Sequence, residues 1–253
     1  MFGQNPIRKA SDFPDGLLRV QQVFYTIQGE GPFAGYPAVF VRTAGCNLRC
    51  TFCDTDFESG WANVMSPEDL FGLVGRTWAG GGRQGSSGLV VLTGGEPLIQ
   101  NPGALARLVE LLTTLGWHVQ VETAGTVGIP AGGYAIQSVE GLPEPGHVSF
   151  VVSPKTHRIN EVVAYNALAF KYIVSKDDED PDDGLPVLST QGVDRHHRLA
   201  RPPRHMSHLP LYVQPKDVPD SVARADNVAH AARLSLRYGY RLSLQLHKIV
   251  GLE

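Results

Sequence analysis

The chain of 253 residues is 42% hydrophobic and 19% charged, which suits one globular domain able to bury a core without disulfide staples. A formal net charge of −3 excludes the strongly basic surface of a general nucleic-acid or membrane binder. No apolar run approaches bilayer length, and Met1 to Pro6 lacks a charged start followed by an apolar stretch, so a reducing cytoplasm is the expected compartment.

Short apolar, β-branched runs alternate with helical patterns, as βα units on a parallel sheet do. Ala38 to Arg42 reads as a strand that runs into a cysteine-bearing loop. Ser66 to Leu70 reads as a helix start, with a serine cap, proline at the first helical position and acids in the first turn. Leu89 to Leu92 is a buried strand ending in Thr93-Gly94-Gly95-Glu96-Pro97. From Gly103 to Leu115, Leu105, Leu108, Val109 and Leu112 recur at helical spacing before Gly116. Further strands are expected at His118 to Glu122, Val148 to Val152, Phe170 to Val174, Leu211 to Gln214 and Leu242 to Leu246. The last two flank a helix from Ser221 to Tyr238, whose Val222, Ala225, Ala229, Ala232 and Leu236 form an apolar face.

Two segments of this single domain, residues 1–253, read as insertions. One is the glycine-rich stretch from Gly80 to Gly88. The other runs from Lys176 to Pro210: its acidic Asp177 to Asp183 reads as a solvated, flexible stretch, the alternative of a metal-binding loop lacking the ordered ligand alternation of a calcium loop, and Arg195-His196-His197-Arg198 follows. Polar residues gather at expected strand ends: Thr93 and Glu96, Glu122 and Thr123, Ser153 and Lys155, Gln214 and Lys216, and His247. Sites of parallel α/β folds form outside the carboxyl ends of their strands.

All three cysteines, Cys46, Cys50 and Cys53, lie within eight positions. Thiolates at this Cys-x3-Cys-x2-Cys spacing can hold three corners of a cubane 4Fe–4S cluster and leave the fourth iron open to chemistry. Competing readings are a disulfide, which would leave one cysteine over, and a zinc site, which needs a fourth ligand where the nearest downstream histidine is His118. Three inert buried cysteines are the remaining alternative.

The cysteine loop after one strand and Gly94-Gly95-Glu96 after the next are similar to the radical S-adenosylmethionine superfamily. The flanking residues narrow the match. Val23-Phe24-Tyr25-Thr26-Ile27-Gln28-Gly29-Glu30-Gly31, Gly35 to Arg42 and Cys53-Asp54-Thr55 resemble the 7-carboxy-7-deazaguanine synthase family. Ser153-Pro154-Lys155, Gln214-Pro215 and Gln245-Leu246-His247-Lys248 agree with it, and the likeness runs from about Val20 to the C-terminus. It departs in the glycine loop, between Thr126 and His147, and from Lys176 to Pro210.

This resemblance implies a partial, open parallel β/α barrel with a 4Fe–4S cluster on Cys46, Cys50 and Cys53. S-adenosylmethionine would bind the open iron and contact Phe52, Cys53, Asp54, Gly94, Gly95, Glu96, Ser153, Pro154, Lys155 and Gln214. It implies contraction of 6-carboxy-5,6,7,8-tetrahydropterin to 7-carboxy-7-deazaguanine and ammonia, on the route to 7-deazapurines such as queuosine. An electron from a flavodoxin or ferredoxin would cleave the cofactor to methionine and a 5′-deoxyadenosyl radical. The matched substrate positions are Ile27, Gln28, Gly29, Arg42, Thr93 and His247, with Thr55 at a magnesium position and a homodimer as the usual assembly.

The residue chemistry agrees with these roles. Gln28 can donate and accept along a pterin edge, Arg42 offers a planar fork to a carboxylate, and the Thr55 hydroxyl is a hard oxygen ligand. Other readings of the cysteine loop are a glycyl-radical-enzyme activating protein acting on a protein substrate, and a non-enzymatic iron–sulfur or zinc protein. Neither accounts for Gln28-Gly29-Glu30-Gly31 beside Cys53-Asp54-Thr55.

Overall fold

The computed structural model describes residues 5–53, 55–59, 61–82, 87–129, 143–191 and 197–252. Asp54, Arg195 and His196 lie outside the described residues. The chain opens with β1 (Leu18–Ile27), β2 (Pro37–Thr43) and the short β3 (Val64–Met65). Then α1 (Pro67–Gly80), β4 (Leu89–Gly94), α2 (Pro102–Thr114), β5 (His118–Thr123) and β6 (Val148–Val152) follow. After α3 (Glu161–Tyr165) come β7 (Ala167–Val174), β8 (Leu211–Pro215), α4 (Ser221–Tyr238), β9 (Arg241–Leu242) and α5 (Leu246–Ile249).

The strands form one open sheet in the order β3-β1-β2-β4-β5-β6-β7-β8-β9. From β2 to β9 every pairing is parallel, the partial barrel expected. The edge departs from an all-parallel sheet: β1 runs antiparallel to both β2 and β3. The helix starts follow their caps. Ser66 Oγ accepts from the Asp69 amide at 3.1 Å, and Asn101 Oδ1 from the Ala104 amide at 3.0 Å, so α2 begins one residue before Gly103.

Side chains alternate across a strand, and that period places the site. Val39 and Val41 of β2, Val90 and Leu92 of β4, and Val119 and Val121 of β5 pack under the helices, against Leu70, Val74, Leu105 and Leu108. The alternate residues face inward. Deep in the barrel these are apolar, with Ala38, Leu89, Val91 and Leu168 around the fully buried Phe33. At the carboxyl ends the same inward rows become Arg42, Thr93, Glu122, Lys171 and Gln214.

Three expectations are corrected. The strand from Leu242 to Leu246 is only Arg241–Leu242, because Ser243 turns back to receive the Gly31 amide on its hydroxyl at 3.0 Å and α5 then begins. The face of α4 is inverted: Asn227, His230, Ala231 and Leu234 are buried, whereas Val222 is 68% and Leu236 89% exposed. Asn227 can be inside because its Oδ1 accepts from the Lys176 amide at 3.2 Å and its Nδ2 donates to the Lys216 carbonyl at 3.0 Å. The acidic run is solvated at Asp177, Glu179 and Asp182 but not at Asp180, which is buried, as are Leu185, Ser189, Gln191, Leu199 and Met206 further along the segment. Asp180 and Asp183 pair with Arg198 and Arg201. In the glycine-rich stretch, Gly80 is the last residue of α1, and residues 83–86 lie outside the described residues.

Candidate active site

Two chambers open at the carboxyl ends of the strands. One is lined by Cys46, Cys50, Cys53, Phe52, Gly95, Ser153, Lys155, Lys171 and Gln214. The other is polar and lined by Ile27, Gln28, Arg42, Thr93, Gln245 and His247. Glu30, Thr55, Gly94 and Glu122 line both, so the chambers share a wall.

The cysteine loop is pinned to the end of β4 by its glycines. Gly95 N–H donates to the Thr43 carbonyl at 3.1 Å and the Glu96 amide to the Gly45 carbonyl at 3.0 Å. A Cβ on Gly95 would lie 1.7 Å from that Gly45 oxygen; Gly94, at φ +112°, would meet the Thr43 backbone at 2.5 Å. Both positions therefore need glycine for the protein's own close approach. Glu96 itself does not line the chamber. Its carboxylate accepts from Thr123 Oγ1 at 2.7 Å, the Ala124 amide at 2.9 Å and the Leu98 amide at 3.2 Å, clamping the ends of β4 and β5 together. Burial raises the Glu96 pKa against those donors.

Across the cysteine chamber, Lys155 donates to the Ser153 carbonyl at 2.9 Å and to its hydroxyl. Burial brings Lys155 down to about 8, against the attraction of Cys50. The Lys216 ammonium sits 5.7 Å from the centre of the Phe52 ring. Pro154 lines a neighbouring pocket with Thr190, not this chamber. Asn5, which also lines the chamber, holds the loop by donating to the Thr55 carbonyl at 2.7 Å.

The polar chamber is tied together by two carboxylates. Glu122 accepts from Gln28 Nε2 at 3.1 Å, Gln120 Nε2 at 3.2 Å and Thr93 Oγ1 at 2.9 Å. Glu30 pairs with Lys171 and accepts from Gln214 Nε2 at 3.0 Å and Gln245 Nε2 at 2.8 Å. Burial alone would raise the Glu30 pKa; Lys171 and Gln245 override it and hold the carboxyl at about 2. Lys171 is correspondingly raised, since Glu30 and Glu122 outweigh its burial.

Arg42 stands at the rim, donating to Gln22 Oε1 at 3.0 Å with its guanidinium 5.0 Å from the Phe24 ring centre. Gly29 does not line the chamber, yet a Cβ there would fall 1.9 Å from His247 Nδ1. Its bare backbone lets the imidazole close over the site, and its carbonyl accepts from the Leu246 amide at 3.1 Å. Burial lowers the His247 pKa, with Glu30 pulling the other way.

Residues 40–132 match the Radical SAM superfamily. The 7-carboxy-7-deazaguanine synthase of Rhodospirillum rubrum is 46% identical over 255 residues, with 99% of each chain covered. The 7-carboxy-7-deazaguanine synthase of Rickettsia prowazekii is 34% identical over 258 residues, covering all of this chain and 96% of its own. This chain belongs to the 7-carboxy-7-deazaguanine synthase family, radical S-adenosylmethionine lyases of deazapurine biosynthesis. The crystal structure of QueE from Escherichia coli shares the fold at a TM-score of 0.56 and 24% identity, over 90% of this chain and 94% of that one.

The family implies a 4Fe–4S cluster and S-adenosylmethionine, and the cysteine chamber fits both. Among the described residues no three His, Cys, Asp or Glu groups gather as they would around a single ion. All three thiols line the one chamber, so a cluster held by them would face it. Burial, then the Glu96 carboxylate, push the Cys46 thiol up, so a cationic partner is needed to hold it as thiolate. Gln214 Oε1 is buried in the same lining with no partner among the described residues, which leaves an acceptor for a cofactor donor.

Reading the sequence missed Glu30, Lys171 and Gln245 as site residues and gave Glu122 no role. Lys171 carried a signal, as a lone lysine within the otherwise apolar Ala167 to Val174. Glu30 lay inside a quoted motif without an assigned partner, because that partner is 141 residues away.

Proposed function

We propose that the chain contracts 6-carboxy-5,6,7,8-tetrahydropterin to 7-carboxy-7-deazaguanine and ammonia. The supporting observation is the wall shared by a thiol-lined chamber and a polar chamber lined by hydrogen-bonding side chains. When bound on Cys46, Cys50 and Cys53, the reduced cluster with S-adenosylmethionine supplies a 5′-deoxyadenosyl radical.

In this reading Phe52, Gly94, Gly95, Ser153, Lys155 and Gln214 hold the cofactor, with Glu96 and Pro154 shaping the surroundings. Gln28, Thr93, Ile27 and His247 meet the pterin, Gly29 gives His247 its room, and Arg42 takes the carboxylate in its planar fork. Thr55, on the shared wall, is the proposed magnesium ligand; the ion would neutralise the carboxylate rather than supply a nucleophile. Residues 1–253 act as a single domain, as a cytoplasmic homodimer fed by a flavodoxin or ferredoxin.

Anaerobic turnover with the carboxytetrahydropterin, S-adenosylmethionine and dithionite should yield the carboxydeazaguanine. The same pterin without its carboxylate should react about 10⁴-fold less efficiently, because the site's polar groups would be left unpaired. Arg42→Ala should lose most of that discrimination. Comparable turnover of both pterins by the wild-type protein would refute the role of Arg42.

A further inference from the structure

Among the described residues, the segment from Lys176 to Pro210 hydrogen-bonds to the cysteine loop through the Thr190–Gln191 turn. The Thr51 amide donates to the Thr190 carbonyl at 3.1 Å, and Cys50 and Gln191 form an antiparallel bridge. From the other side, the Thr190 amide donates to the Lys155 carbonyl at 3.0 Å. The turn is thus stitched between the cysteine loop and the end of β6.

Its side chains converge on one sulfur. Gln191 Nε2 lies 3.3 Å and Thr190 Oγ1 3.2 Å from Cys50 Sγ. Gln191 is 8% exposed, and its amide orientation is set, because Oε1 accepts from the Arg49 amide at 2.8 Å and Nε2 also reaches Thr190 Oγ1 at 3.0 Å. An amide nitrogen has two protons, so it can serve both acceptors. The Thr190 hydroxyl has a single proton and also sits 3.1 Å from the Lys155 carbonyl, which makes Gln191 the firmer donor.

We propose that Gln191, assisted by Thr190, is a positioning residue that raises the reduction potential of the cluster through the Cys50 sulfur. This rests on the reading that Cys46, Cys50 and Cys53 hold that cluster. Adding one electron increases the negative charge on the irons and their sulfur ligands. An N–H directed at a ligand sulfur stabilises that extra charge, and hydrogen bonds to sulfur are one of the levers that set cluster potentials. The same contacts fix where the Cys50 thiolate points, so the turn both orients and tunes.

The test is anaerobic reconstitution of the full chain, followed by iron analysis and a potentiometric titration read by paramagnetic resonance. Gln191→Leu should keep its iron yet be about tenfold harder to reduce at a given potential, a fall of ~59 mV for a one-electron couple. Gln191→Glu keeps an acceptor for the Arg49 amide but brings no N–H, and should fall at least as far. Thr190→Val should fall less, since its proton is shared with Lys155. Unchanged potentials in both fully loaded Gln191 variants would overturn the proposal. Wild-type protein that takes up no iron would instead overturn the cluster reading beneath it. Should the Gln191 variants fail to load, wild-type protein labelled with ¹⁵N in glutamine side chains decides the matter. Its reduced cluster must show a weak coupling to that nitrogen, and its absence would overturn the proposal.

Discussion

The two chambers share a wall and are built on opposite plans. The polar chamber is formed by strand ends whose side chains bond to one another: Gln28, Thr93 and Gln120 to Glu122, and Lys171, Gln214 and Gln245 to Glu30. The cysteine chamber carries its thiols on a loop held by Asn5, by the Gly45 and Glu96 backbones and by Thr190 and Gln191. The polar wall therefore constrains the fold, because removing one partner would leave a buried charge unpaired at high cost. On that contrast the cysteine wall should contribute less to stability and be specialised for a ligand.

The largest expected effect tests the second half of that contrast. Cys50→Ser should remove iron uptake and drop turnover to the assay floor, while the melting temperature of the iron-free protein shifts by no more than about 2 °C, as for an ordinary small substitution. A large loss of stability would show that the cysteine loop carries fold energy after all.

Next comes the polar wall. Lys171→Met leaves Glu30 buried without its cation, which costs about 3–5 kcal/mol and lowers the melting temperature by about 10 °C. The pH dependence has a definite sign. Glu30 is depressed from 4.5 to about 2, so its stabilising contribution is full above pH 4.5 and is lost as pH falls towards 2. In Lys171→Met, unfolding free energy between those pH values should fall less steeply than in the wild-type protein. Parallel acid-unfolding curves would show that the pair does not set the acid limb.

Gly29→Ala should have a smaller and more selective effect. A methyl group 1.9 Å from His247 Nδ1 must push the ring aside, while the surrounding strands are untouched. Displacing a contact group by about 1 Å can cost up to a hundredfold in rate, so kcat/KM should fall by roughly 10- to 100-fold with iron content unchanged. If kcat/KM is unaltered, His247 does not meet the substrate.

What the sequence revealed divides along the same line. The cysteine loop is legible because its signal is local: three thiols within eight positions, followed one βα unit later by Gly-Gly-Glu. The buried strands β4 and β6 were legible for the same reason, each being a short apolar run, and β5 by its Val119 and Val121 alternating with polar residues. The pairing of Glu30 with Lys171 and of Gln191 with Cys50 spans about 140 residues, and no local pattern encodes such a contact. The face of α4 was misread because buried Asn227 and His230 look like surface residues until their surroundings are known. β1 escaped notice because Arg19, Gln21 and Gln22 interrupt its apolar pattern, and because an antiparallel edge strand breaks the βα rhythm around it.

The smallest effect asks how far the polar wall is prepared before any ligand arrives. Thr93→Val keeps the shape of the side chain and removes one of three donors to Glu122. A hydrogen bond to a charged group is worth about 1.5–3 kcal/mol when buried. Glu122 is only half-buried, so water can replace part of the lost bond and the expected cost is about 1 kcal/mol. Stability measured without substrate separates this structural role from any contact Thr93 makes during turnover. A double-mutant cycle with Glu122→Gln isolates the pair, because each single substitution also disturbs other partners. A coupling of about 1 kcal/mol would mean that the polar wall is assembled by the fold itself. A coupling near zero would mean that Thr93 and Glu122 are merely neighbours and that the substrate supplies their order, which would erase the contrast between the two chambers.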